Sequence, residues 1–420
     1  MLMIQQRYAS ARCLALGLVA CAVTLPAAAM DMGTATASME AATTAKAEAP
    51  TRLTTAPDGS IQVPLAAELW QVTGDVQFTR KEGFPRGIMT MSGADPQLSA
   101  LLKGFSFGNG TIEFDTKASS KDGEVNVAFR KTDASTETFY VRVSPDCAAS
   151  QDCLQYAPLT HTRRLWDMYI QYQRPAPFAD DHWNHIKMVM SGRRMNVYVN
   201  HEATPSLSVG RLQGDASIGA LSFGGPATYA NLVLKPDVVE GLPAEPEADP
   251  TASDQRYLRT WEMAPPTRLA ENAVPMITDV PSASAAWVTT HAEDYGLINL
   301  ARRSDAHPDD HTRPLIGWLK TTIESDHDQT QHVSIGFLRE VWVFVDGKLV
   351  YADKNLYHVA GERKDPDGRL SLENGSFDLP LHKGANHIVV AIRSNTPDMR
   401  DQYGWGIEMR LQDLDGVHLR

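Results

Sequence analysis

The sequence predicts an all-β chain folded as two antiparallel β-sandwiches joined by a proline- and acid-rich connection. Three observations predict it. Short segments with an apolar residue at every second position recur along the chain, separated by Gly, Asp and Ser clusters. No segment keeps the 3.6-residue period of an amphipathic helix for more than a few turns. A low-complexity stretch at residues 235–255, KPDVVEGLPAEPEADPTASDQ, divides the β pattern into two runs.

The chain has 420 residues, too many for one ordinary sandwich and suited to two domains. The expected organisation is a signal peptide over 1–29, an Ala/Thr-rich tether over 30–55, a first sandwich over 56–235, a linker over 236–255 and a second sandwich over 256–420. In the linker, prolines and acids disfavour packing and favour an extended path.

The leader is read from its layout. Arg7 and Arg12 precede an apolar run from Cys13 to Leu25, and Pro26-Ala27-Ala28-Ala29 follows as a small-residue cleavage site. The run is shorter than the roughly 20 residues of a membrane span. Leu18-Val19-Ala20-Cys21 also matches a bacterial lipobox, which would place a lipid on Cys21. The expected location is therefore periplasmic or secreted, with an outer-membrane lipoprotein as the alternative, and no transmembrane span is expected in the mature chain. Cleavage after Ala29 leaves Cys147 and Cys153, whose short spacing in an exported chain reads as a small-loop disulfide.

Hydrophobic residues make up 43% of the chain and charged residues 21%, enough for packed cores. The net charge of -12, from 39 basic and 51 acidic residues, argues against nucleic acid or an anionic membrane as partner.

Individual strands are legible in the first half. GTIEFDTKA (110–118) alternates Ile112 and Phe114 with Glu113 and Asp115. GEVNVAFRK (123–131) alternates Val125, Val127 and Phe129 with Asn126, Ala128 and Arg130. TFYVRV (138–143) and MNVYVN (195–200) follow the same rule, the latter after a turn at Ser191-Gly192-Arg193-Arg194. In the second half, VWVFV (341–345) and KLVY (348–351) flank Asp346-Gly347, a strong hairpin signal because the turn needs positive φ. FDLPLHKGANHIVVAIRS (377–394) and the strand after Gly404-Trp405-Gly406 complete the pattern.

The stretch WNHIKMVMSGRRMNVYVN (183–200), with GTIEFDTKA, VNVAFRK, FYVRVSP and LQYAP in that order, resembles the concanavalin A-like (laminin G-like) jelly rolls. Within them it is most similar to the family named 3-keto-disaccharide hydrolase, over about residues 60–235. That branch usually carries Asn-Ser-Gly before its Phe-Arg strand, where this chain reads Glu124-Val125-Asn126-Val127-Ala128-Phe129-Arg130. GFLREVWVFVDGKLVY, LPLHKGANHIVVAI and YGWGIEMRLQDLDG resemble a galactose-binding-like jelly roll over about residues 256–420. The resemblance implies two sandwiches of a kind that handle carbohydrate. It leaves the chemistry open, because a fold does not fix a function.

Cleavage with retention needs two carboxyl groups about 5–5.5 Å apart. Glu113 and Asp115 supply two acids of the Glu-x-Asp-x-x-Glu strand that related glucanases carry, with Ala118 in the third position. Alternatively the two acids are ordinary polar-face residues paired with Arg130 or Lys117. A ligand face is expected from Glu113, Asn126, Arg130, Tyr140 and Arg142 on one sheet, rimmed by the Cys147–Cys153 loop. Planar donors and an aromatic ring suit sugar hydroxyls and sugar CH faces, although a ligand-free cross-strand network fits the same residues. Three segments could supply metal ligands: His307, Asp309, Asp310 and His311; Glu324 to Asp328; and Asp365, Asp367 and Glu373, the last fitting a structural calcium. Nucleophile elbows, zinc-protease motifs, phosphate loops and dinucleotide fingerprints are absent from the sequence, so no cofactor beyond that calcium is expected.

The leading expectation is an exported, non-catalytic protein that binds carbohydrate or cell-envelope glycan. The alternatives are a glycoside hydrolase of the 3-keto-disaccharide type using Glu113 and Asp115 with Arg130, and an envelope scaffold with a protein partner.

Overall fold

A computed structural model describes residues 52–119, 123–160, 163–270, 273–302, 314–394 and 403–419. The signal peptide, most of the tether, Cys21 and the His307–His311 cluster lie outside these residues. The described residues form strands joined by loops, and the helical segments among them are three-residue 3-10 turns. Residues up to Pro236 build two sheets and residues from Thr260 onward build two more, with the strands inside each described sheet pairing antiparallel.

The first sheet has nine strands. Its centre runs Ala227–Pro236, Gly110–Ala118, Asn184–Ser191, Arg194–Val199. The second sheet has eight, ordered Arg163–Arg164, Leu154–Thr160, Ser135–Arg142, Glu124–Lys131, Gly219–Gly224, Ser99–Phe107, Trp70–Thr73, with Gln173–Arg174 beside Leu154–Thr160. Period-2 alternation sets their facing. Ile112 and Phe114 of the first sheet and Val125, Val127, Phe129, Phe139 and Val141 of the second are all buried. Each such side chain contributes roughly 1.5–3 kcal/mol when fully removed from water. The third sheet has eight strands centred on Leu315–Ser325, Gly384–Arg393 and Arg339–Val345, and the fourth has four. Asp346 and Gly347, at φ 47 and 82, form the expected hairpin turn between Val345 and Lys348.

The two sheet pairs pack on each other, and most of their buried apolar residues form one cluster from Val63 to Val417. Met168 enters the seam against Gly404 and Gly406. A Cβ on Gly404 would meet Met168 Cγ at 2.3 Å and Asp167 Oδ1 at 2.4 Å, so close approach requires glycine there. Hydrogen bonds cross the same seam. Tyr169 Oη donates to Glu293 Oε2 (2.7 Å), Arg211 Nε to Asp294 Oδ2 (2.8 Å) and Arg302 Nη2 to Gln213 O (2.6 Å).

The acidic stretch after Lys235 runs through turns at Lys235–Val238, Val239–Leu242 and Asp249–Asp254, and it is not loose. Glu240 pairs with Lys187 (2.7 Å), Glu247 with Arg194, and Asp249 with Arg259 (2.9 Å). Ala244 O accepts the Arg193 N–H and Gly210 O accepts the Glu247 N–H, both at 2.8 Å. Its carboxylates meet basic residues along the hairpin edge, so the charge that disfavours a core fastens the segment to a surface.

Candidate functional site

The outer face of the second sheet carries an open groove of about 900 Å³, within the roughly 300–1,000 Å³ of small-ligand sites. Sheet register builds its floor. Ala128 pairs with Ser222 on one side and Thr138 on the other, and Thr136 pairs with Leu159. Apart from Leu159 these outward positions carry small or hydroxyl side chains, so the floor lies low between taller walls. One wall is Glu124, Asn126 and Arg164; another is the exposed loop at residues 93–97; Lys131 stands at a further margin. Among the described residues the lining holds two acids, Asp95 and Glu124, and two bases, Lys131 and Arg164, so their formal charge balances.

The wall is a hydrogen-bonded set. Arg164 Nη2 donates to Glu124 Oε1 (2.5 Å), and Asn126 Nδ2 donates to the same oxygen (2.8 Å). The Arg164 guanidinium lies 4.1 Å from the centroid of the Tyr140 ring. Below the floor, Glu137 points into the core. It accepts from Tyr156 Oη (2.5 Å) and the Gly214 N–H (2.9 Å), and burial raises its pKa despite both donors.

The structure redistributes the residues expected on one face. Asn126, Tyr140 and Arg142 share the outer face of the second sheet. Glu113 and Asp115 do not belong to that sheet: they lie on Gly110–Ala118 in the first sheet and do not line the groove. Glu113 accepts from Lys235 Nζ (2.8 Å), not from Arg130 or Lys117. Asp115 sits 2.8 Å from His185 Nδ1 and accepts from Asn231 Nδ2 (2.6 Å). Burial pushes its pKa up, but these partners outweigh burial and hold it below the usual carboxylate range.

Arg130 is also displaced from the expected face. A bulge opposite Ala220 and Ser222 and a φ of 48° turn it inward, where it is 1% exposed. Its Nη1 donates to Gly192 O (2.8 Å), and its Nη2 to Gly108 O and Asn109 Oδ1 (both 3.1 Å). It therefore clamps the turn of the 184–199 hairpin in the opposite sheet.

Tyr140 is on the expected face but is roofed. It is 1% exposed, donates to Gln155 Oε1 (2.7 Å), and burial pushes its phenol up to about 12. Tyr140, Ala157 and Trp166 form a buried cluster with Tyr357 and Tyr403 of the second sheet pair packed on it. Arg142 is 30% exposed and bonds Asp152 O (3.1 Å) and Tyr140 Oη (3.1 Å). Cys147 and Cys153 are disulfide-bonded. Their loop does not rim the groove: its Asp152 accepts from Arg369 Nη2 of the second sheet pair at 2.8 Å.

Among the described residues no three His, Cys, Asp or Glu side chains are grouped to hold a metal ion. In the expected calcium loop, Asp367 pairs with Arg363 (2.9 Å) and Arg369 (2.8 Å), while the Asp365 carbonyl accepts from Asn374. In the 324–328 segment, Asp328 accepts the Lys383 N–H and Asp326 faces His418.

The sequence reading missed Arg164, Glu124, Thr138, Ser222 and Ala128. Residue type gives little signal for small floor residues; their meaning comes from the register that puts them side by side.

No family model matches the chain, and no curated protein matches it. Solved structures similar to part of it include the carbohydrate binding module CBM66 from Bacillus subtilis, at 15% identity and a TM-score of 0.30 over 40% of this chain and 95% of that one. A Bacillus licheniformis beta-glucanase is similar at 10% identity and a TM-score of 0.30, over 42% and 98% of the two chains. The Caenorhabditis elegans galectin LEC-6 is similar at 14% identity and a TM-score of 0.25, over 34% and 93%. Likeness at this level identifies no ligand and no reaction.

Proposed function

We propose that this chain is an exported glycan-binding protein that holds its ligand in the groove of the second sheet and does not cleave it. The observation that carries the reading is the groove itself: a charge-balanced trough floored by Ala128, Thr138 and Ser222 and walled by the Arg164–Glu124–Asn126 set. Such a lining offers donors and acceptors in similar number to a neutral polyhydroxyl ligand. An anionic ligand would need surplus positive charge, and Arg164 is already paired.

Hydrolysis with retention needs two converging carboxyl groups at the ligand. The two candidate acids are on the other sheet and committed to Lys235, His185 and Asn231. Export keeps its basis in the leader, and the Cys147–Cys153 bridge suits an oxidising compartment.

The test is a broad glycan array probed with the chain from residue 51 onward, alongside Ala128→Tyr and Ser222→Tyr. Selective binding that drops at least ten-fold in both variants, with melting temperatures unchanged, supports the reading. A blank array from folded protein, or binding indifferent to both substitutions, overturns it. Release of new reducing ends from a bound glycan would overturn the non-catalytic part alone.

A further inference from the structure

We infer that the groove accepts the end of a glycan chain and excludes its interior, because the second sheet pair stands across one side of it. The inference rests on the glycan reading. A ligand crossing the strands passes from Ser222 to Ala128 to Thr138 in direct register. The next position in that row is Ala157, paired with Thr138. Ala157 is 0% exposed, enclosed with Trp166 beneath Tyr357 and Tyr403. The ring centroids of those tyrosines lie 4.8 and 5.5 Å from that of Trp166.

The edge of the sheet is closed in the same place. Arg164, opposite Leu159, makes a parallel bridge to Tyr403, so the second sheet pair continues the sheet edge at the height of the groove. Arg163 Nη1 donates to Tyr403 O (3.1 Å) and fixes that bridge. At the opposite side, beyond Ser222, the row continues to half-buried Leu101 and exposed Gln71, where it is open to solvent. The trough thus has an open side and a blind side.

From the edge strand on the blind side Arg164 reaches back to Glu124, which with Asn126 lies on the Ala128 strand. A chain terminus has adjacent free hydroxyls where an internal residue has a further glycosidic bond. A guanidinium, a carboxylate and an amide held together match such a pair of hydroxyls, donating to one and accepting from the other. The occupant is therefore the terminal unit of a neutral glycan, its chain leaving past Leu101 and Gln71.

The test measures binding capacity on insoluble or immobilised polymers, using amylose, dextran, laminarin, inulin and xylan. Each is presented at full length and after partial acid hydrolysis to half its mean length, with equal mass immobilised. For a polymer that binds, chain-end recognition predicts capacity per gram rising about two-fold as chain ends double. Capacity per gram unchanged by halving overturns the inference while leaving the glycan reading intact. Binding to none of the polymers and to no array glycan sinks the glycan reading itself, and this inference with it. As a second measure, Arg164→Ala is expected to weaken binding of a short linear oligosaccharide from the binding polymer at least ten-fold. Unchanged affinity in a folded variant overturns the role given to the wall.

Discussion

Arg339 Nη2 donates to Asp167 Oδ2 at 2.9 Å with both side chains at 0% exposure, joining the first sheet pair to the second through one buried ion pair. The other Asp167 carboxyl oxygen accepts the Gly404 N–H (2.9 Å), and its carbonyl accepts the Leu370 N–H (2.8 Å). Arg339 Nε and Nη1 are buried without a partner. Arg163 lies close enough that burial, with Arg339 adding to it, brings its pKa down to about 10. Arg339 is hydrogen-bonded to that carboxylate, while Arg163 nearby donates to Tyr403 O.

Breaking that pair from one side leaves an uncompensated buried charge, which costs about 3–5 kcal/mol. Asp167→Asn or Arg339→Met is expected to lower stability by that order in urea unfolding. The double replacement Asp167→Leu with Arg339→Met is expected to recover most of the loss. A double mutant whose loss equals the sum of the single losses would show that the two residues do not act as a pair.

Glu408 gives the stability a defined pH dependence. Burial pushes its carboxyl up to about 8, although the Leu372 N–H and Arg410 act in the opposite direction. Gly336 makes the room, since a Cβ there would meet Glu408 Oε1 at 2.6 Å. The folded pKa lies above the unfolded value, so between roughly pH 4.5 and 8 the folded state binds more protons and stability falls as pH rises. Glu408→Gln is expected to flatten that fall and to stabilise the protein by roughly 1–4 kcal/mol at pH 8. Melting temperatures of the two proteins from pH 4 to pH 9 measure it, and parallel curves would count against it.

The Cys147–Cys153 bridge closes a short loop, and Cys147→Ser with Cys153→Ser is expected to cost roughly 2 kcal/mol. Because Asp152 within that loop holds Arg369, the loss is expected to loosen the seam as well. Hydrogen exchange should rise at residues 366–370 along with the loop. Faster exchange confined to residues 147–153 would separate the bridge from the seam.

Glu113→Gln removes a partner of Lys235 on the first sheet, outside the groove. Glycan binding is expected to stay within two-fold of the parent by titration calorimetry. A ten-fold loss would return the first sheet to the binding site.

The strands were legible because one face of each sheet is buried, and burial writes period-2 alternation into the sequence. The strand at 110–118 emerges with the bounds its pattern predicts. Alternation gives a residue's face but not its sheet, which is why Glu113 was grouped with Asn126. It also fails at a bulge, where Arg130 takes the inward side against the count. Above all, it is silent on what lies over a face. Tyr140 and Arg142 point outward from their sheet as expected, yet tyrosines more than 200 residues later in the chain cover that ground. The groove was illegible for a related reason: Ala128, Thr138 and Ser222 form a floor only once three strands lie in register.

The acidic stretch between the sheet pairs is composed like a hinge and mounted like a splint. With Glu240 and Glu247 fastened to the first pair, and Asp249 holding Arg259 and accepting the Tyr295 N–H (3.0 Å), it offers no pivot. A pull applied at the second sheet pair would therefore reach the first with no hinge in this stretch to absorb it.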